Sequence, residues 1–144
     1  MVDYDRFLIK RYKHWKVLLH SEFYYHYLGS FYIWSRRTDD VDILEMTKEE
    51  QEEFFTVARQ VKQAFKKLFK PDRFNYLAMG NVAPHLHVHV IPRYASPRIF
   101  NKLKFVDKEW GGPPRSKPHI KVPEEALLKI RDKIKKQLET SQTS

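Results

Sequence analysis

Apolar positions recur along this chain with two different periods, and the changes of period mark its elements. Lys16-Val17-Leu18-Leu19-His20 is a short apolar run, and Phe23 to Tyr27 is rich in aromatic residues. Leu28-Gly29-Ser30 punctuates before Phe31-Tyr32-Ile33-Trp34. Aromatic and β-branched residues around a glycine predict strands joined by a tight turn. Residues 1–14 are mixed and polar, and read as an arm or a short helix. At Thr47 the period changes. Thr47 followed by Glu50 has the form of a capping box, and Phe54, Ala58, Val61, Phe65 and Leu68 then recur at steps of three and four. This predicts a helix with one core-facing stripe, ending near Lys70 because Pro71 cannot continue it.

Beyond that helix, Phe74 to Met79 reads as a strand ending at Gly80-Asn81. After the turn Val82-Ala83-Pro84, the run His85-Leu86-His87-Val88-His89-Val90-Ile91 reads as a second strand, closed by Pro92. So short a connection predicts antiparallel neighbours. Residues 93–122 carry little pattern, and Trp110-Gly111-Gly112-Pro113-Pro114 is loop-like. Pro123 suits the first turn of a last helix, whose stripe is Leu127, Ile130, Ile134 and Leu138 and whose tail frays after Glu139.

Composition narrows the setting. The 144 residues suit one domain, residues 1–144, with its core at about 15–138. Cysteine is absent, which excludes disulfides, thiolate catalysis and cysteine-ligated zinc. The N-terminus lacks a signal-peptide pattern, and no apolar run is long enough to span a bilayer, so a soluble, cytoplasmic protein is expected. The formal net charge of +9 favours anionic partners. The last helix is basic and amphipathic through Lys129, Arg131, Lys133, Lys135 and Lys136, but no nucleic-acid recognition motif accompanies it. Neither nucleic acid nor a membrane is expected as a partner.

The alternating histidines change the picture most. Side chains alternate faces along a strand, so His85, His87 and His89 project together while Leu86, Val88 and Val90 face the core. Two chemistries fit three imidazoles on one face. One is a metal site, since neutral imidazole binds zinc, copper or nickel. No Asp or Glu lies between Asp72 and Asp107 to complete it locally. The other is covalent catalysis at phosphorus. That needs a neutral imidazole, its tautomer fixed by a hydrogen bond, and a proton source for the leaving group.

With its HLHVHVI run, the chain resembles the histidine triad (HIT) family. The likeness extends through Leu28-Gly29, the capped helix, Asn75-Tyr76, Gly80-Asn81, Pro84-His85 and Ile91-Pro92-Arg93-Tyr94, in the manner of the bacterial-type diadenosine tetraphosphate hydrolase-like branch. It implies an α+β fold: an antiparallel sheet of about five strands, one long helix and a C-terminal helix. It implies a homodimer acting on nucleotide substrates such as dinucleoside polyphosphates or phosphoramidates. His87 maps to the nucleophile that attacks the α-phosphate and forms a nucleotidyl-histidine. His85 maps to an ordering role and His89 to the leaving-group side. Asn81 and Arg93 are candidate phosphate contacts. The chemistry requires no cofactor, and magnesium enters only with a polyphosphate substrate. A hydrolase is favoured over a transferase. The alternatives are a nucleotide-binding regulatory module with little turnover, or a metal-binding histidine site. Three features depart from the family pattern. The Gly80 to Pro84 segment is short, Val82 stands where a hydroxyl residue is common, and Ser30 and Thr38 occupy the two places where an additional upstream histidine is expected.

Overall fold

A computed structural model describes residues 4–39, 41–81 and 83–142. Val82 therefore lies outside the described residues. Five strands form one sheet: β1 (Leu8–Arg11), β2 (Trp15–Leu19), β3 (Phe31–Ser35), β4 (Arg73–Leu77) and β5 (His87–Arg93). Their spatial order is β1-β2-β3-β5-β4, and every neighbouring pair is antiparallel. Two helices, α1 (Lys48–Leu68) and α2 (Glu124–Gln142), cover one face. A small hairpin, β6 (Arg98–Phe100) with β7 (Leu103–Phe105), stands apart from the sheet. This is the expected α+β arrangement, an antiparallel five-stranded sheet with one long helix and a C-terminal helix.

The core lies between the sheet and the helices. Val17, Leu19, Phe31, Ile33, Val88 and Val90 meet Val57, Val61, Ala64 and Phe65 of α1 and Leu127, Ile130, Ile134 and Leu138 of α2. The expected stripes on both helices are therefore largely realised, although Val57 and Ala64 are buried in α1 while Ala58 and Leu68 lie at its margin. The capping box forms as read. Thr47 Oγ1 accepts from Glu50 N–H at 3.1 Å, and Glu50 Oε1 accepts from Thr47 N–H at 2.8 Å.

Several local expectations are corrected. Tyr4–Phe7 form a short helix as expected, but residues 8–11 form a strand, because Ile9 faces the core and Leu8, Lys10 and Arg11 pair with β2. The aromatic segment Phe23 to Tyr27 is not a strand, and no tight turn joins β2 to β3. Tyr24 takes a positive φ of 57°, and Tyr27 N–H and Ser30 N–H bond back to Tyr24 and Tyr27 carbonyls. Residues 20–30 thus fold on themselves as a compact loop. Strand β5 begins at His87, because His85 N–H is drawn into a turn with the Ala83 carbonyl. It also continues through Pro92 to Arg93. Beyond Val90, β5 pairs only with β4, and proline is tolerated where one strand edge is unpaired. Helix α2 runs past Glu139 to Gln142. Among the described residues, no helix is long and apolar enough to cross a membrane.

Candidate active site

The face of the sheet turned away from the helices carries the site. Register places Lys16 beside Trp34, Leu18 beside Tyr32, Tyr32 beside His89, and Trp34 beside His87. Alternation puts all six on one face. A cavity of about 820 Å³ opens over it, lined by His87 and His89 and walled by Phe23, Tyr24, Tyr32 and Trp34. Gly80, Asn81, Tyr4 and Ser116 complete its lining.

The three histidines are brought together, each with its own restraint. His87 Nδ1 lies 2.6 Å from the carbonyl oxygen of His85. A carbonyl can only accept, so Nδ1 carries the proton and Nε2 keeps its lone pair. Burial lowers the His87 pKa, opposed by that same carbonyl, so the ring is neutral near pH 7. His85 Nε2 donates to the Arg37 carbonyl at 2.8 Å. Arg37 is itself held at the start of α1, its guanidinium 2.9 Å from Glu50. The capping box thereby reaches the site: Glu50 fixes Arg37, Arg37 receives His85, and the His85 carbonyl fixes His87. The indole of Trp34 stacks against both His85 and His87, with centroids at 4.5 and 4.6 Å. Two of the triad's ring nitrogens are thus committed to carbonyl oxygens, which suits a tautomer-controlled site better than a metal cage.

His89 has a partner that sequence reading missed. Its Nδ1 lies 3.2 Å from Nε2 of His20. His20 is fully buried at the end of β2, stacked on Tyr32 at 3.8 Å and near Tyr24 at 5.4 Å. Burial, with His89 and His87 adding to it, holds the His20 pKa well below the usual histidine range. Burial and then His87 push His89 down to about 4. No histidine stands at Ser30 or Thr38, yet His20, just past the end of β2, supplies an extra imidazole. The available signal was alternation, since Lys16, Leu18 and His20 share a face with the triad.

The two further candidates separate. Asn81 is exposed beside Gly80 and lines the same cavity as His87. Arg93 is corrected as a phosphate contact. Its Nε and Nη2 meet Asp107 at 2.6 and 3.0 Å, Nη1 meets Asn75 and the Gly112 carbonyl, and Nη2 also meets the Glu109 carbonyl. All five of its N–H donors are occupied, and the residue is buried. It anchors the loop after β7 to the sheet.

Residues 32–96, which include the whole triad, match the family model of the HIT domain. Over those residues the chain is similar to a HIT domain. Solved HIT structures reproduce the fold around it. A histidine triad (HIT) protein from Sinorhizobium meliloti is 22% identical with a TM-score of 0.70, covering 95% of this chain and 96% of its own. A hypothetical histidine triad nucleotide-binding protein from Sulfolobus tokodaii is 21% identical with a TM-score of 0.66, covering 93% and 84%. A histidine triad protein from Bradyrhizobium japonicum is 22% identical with a TM-score of 0.65, covering 91% and 89%. At these identities the likeness is one of fold. No curated protein sequence matches the chain significantly.

Proposed function

We propose that this protein cleaves nucleotide derivatives at the α-phosphate through a nucleotidyl-His87 intermediate, with water as the usual acceptor. The observation that carries the reading is the 2.6 Å hydrogen bond from His87 Nδ1 to the His85 carbonyl, which leaves a neutral Nε2 at the cavity. Nε2 attacks phosphorus, the bond to the leaving group breaks, and its electron pair departs with the leaving oxygen or nitrogen. The neutral His89 ring hydrogen-bonds to that atom, which takes its proton from solvent. Water then yields a proton to His89, attacks phosphorus, and releases the mononucleotide as the P–N bond breaks. His85 orders the nucleophile. Asn81 contacts the phosphate, and the aromatic walls take the base.

Dinucleoside polyphosphates and nucleoside phosphoramidates are the substrate classes proposed, with magnesium accompanying only the polyphosphates. The Sulfolobus tokodaii neighbour bears the name of a nucleotide-binding protein, which agrees with this assignment. The proposed homodimer would add a second copy at the edge strand β4.

The deciding assay incubates the protein with diadenosine tetraphosphate and with adenosine phosphoramidate, with and without chelator, beside a His87→Ala control. Cleavage lost in the control supports the reading. No cleavage above the control for either substrate overturns it and leaves a binding module. Activity lost to chelator and regained with one transition metal, on the phosphoramidate, would favour a metal-site mechanism instead.

A further inference from the structure

A second cluster of chemistry-bearing side chains lies outside the cavity. His26 comes from the loop at residues 20–30, and Glu109 and His119 come from the long segment between β7 and α2. One ligand atom from each lies within 4.8 Å of the others. The rings of His26 and His119 stand nearly perpendicular, 77°, with centroids 4.8 Å apart. Glu109 Oε1 is 3.8 Å from His26 Nε2.

His26 gives this cluster its meaning. The residue is 1% exposed, yet neither of its ring nitrogens has a hydrogen-bond partner. Buried polar atoms are nearly always paired, so two orphaned nitrogens on one ring ask for an explanation. Nothing in the triad chemistry uses this residue.

We infer that His26, Glu109 and His119 form a binding site for a divalent cation of the zinc class. Two imidazoles with one carboxylate are a donor set for zinc, nickel or copper, and a poor one for magnesium or calcium. Ligand atoms about 2.1 Å from a tetrahedral zinc lie about 3.4 Å from one another. Closing from the observed spacing takes small side-chain rotations of Glu109 and His119, the two less buried members. His26 is already fixed by its surroundings. A supporting shell is present as well: the Tyr27 hydroxyl donates to Glu109 Oε1 and orients the carboxylate. Arg93 and Lys108 are nearby positive charges, and Asp107 neutralises Arg93 at 2.6 Å.

The site has a structural consequence. Tyr24 N–H donates to the Ser116 carbonyl at 3.0 Å, and Arg115 N–H donates to the Tyr27 hydroxyl at 2.9 Å. Tyr24 and Ser116 also line the cavity. A cation held by His26, Glu109 and His119 clasps the two segments that make this wall. The site stands apart from the triad and does not depend on the nucleotide chemistry.

The test uses the full chain, stripped with chelator and desalted. Zinc chloride is added in equilibrium dialysis, and bound metal is counted by mass spectrometry for the parent, His119→Gln and Glu109→Gln. His119 is exposed, so its replacement leaves the fold intact, which circular dichroism verifies. The parent is expected to bind one more equivalent of zinc than either variant, or to bind it on the order of a hundredfold more tightly. Zinc should also raise the parent's melting temperature more than that of either variant, while magnesium raises none. Equal zinc stoichiometry, affinity and thermal response in all three chains overturn the inference, as does a parent that binds no zinc. Should one variant misfold, the other decides.

Discussion

Nε2 of His20 and Nδ1 of His89 lie 3.2 Å apart, and the His20 ring is pressed against Tyr32. Both imidazoles are buried and neutral near pH 7, so one nitrogen donates and the other accepts. The choice fixes which nitrogen of His89 carries a proton on its other side. His20→Phe keeps a ring against Tyr32 and removes only this control. Losing one buried hydrogen-bond partner costs about 1–3 kcal/mol, which corresponds to roughly five- to 160-fold in kcat. KM should change little, because His20 does not line the cavity. Steady-state kinetics on a phosphoramidate substrate would read this, and an unchanged kcat would remove His20 from the positioning of His89.

Gly29 ties the loop at residues 20–30 to the long helix. Its φ is +84°, and a Cβ there would sit 2.5 Å from Phe65 Cε2. Phe65 is fully buried in α1 and has nowhere to move. Gly29→Ala therefore adds left-handed backbone strain to an overpacked contact, about 2–5 kcal/mol together. Urea denaturation should show the unfolding free energy falling by that amount. A variant as stable as the parent would mean that the loop and helix can separate cheaply.

The site and its scaffold were legible in the sequence to different degrees. The triad was readable because alternation alone brings His87 and His89 to one face. Helix α1 was readable because its capping box and apolar stripe are local. His20 was not, because its partner is fixed by strand order: β2 must pair with β3, and β3 with β5, before the two rings meet. The aromatic run Phe23 to Tyr27 misled for a related reason. Its residues favour strands, yet tertiary contacts hold Tyr24 at positive φ and Tyr24 N–H on Ser116. Arg93 looked like a strand-end cation because its partner Asp107 lies on a loop that no periodicity marks.

That loop partner makes Arg93 a stability residue. Arg93→Ala would leave Asp107, only 1% exposed at its side chain, as a buried carboxylate without its counter-ion, held only by the Glu109 N–H. Breaking one side of a buried pair costs about 3–5 kcal/mol. Arg93→Lys should recover only part of this, since an ammonium group cannot reproduce the five-donor fork. For both variants the denaturation midpoint is expected to drop while KM of the folded protein holds. A large rise in KM at unchanged stability would restore Arg93 as a phosphate contact.

Acid should act on the site through His89. Burial, and then His87, hold its pKa at about 4, against an ordinary histidine value of 6.5. Between those values the unfolded chain binds a proton that the folded chain does not. Stability from this group is therefore complete above pH 6.5 and is lost as pH falls toward 4. The linkage amounts to about 2 kcal/mol at pH 5 relative to pH 8. His89→Gln cannot titrate there, so its stability should fall less steeply across the same window. Chemical denaturation of both chains at pH 8 and pH 5 measures the difference. Catalysis should follow the same logic, because the His87 pKa is also lowered by burial. The acid limb of kcat/KM is expected below pH 6.5, where an ordinary histidine would already be half protonated. A limb centred at or above 6.5 would mean that the nucleophile is more open to water than its burial against Trp34 implies.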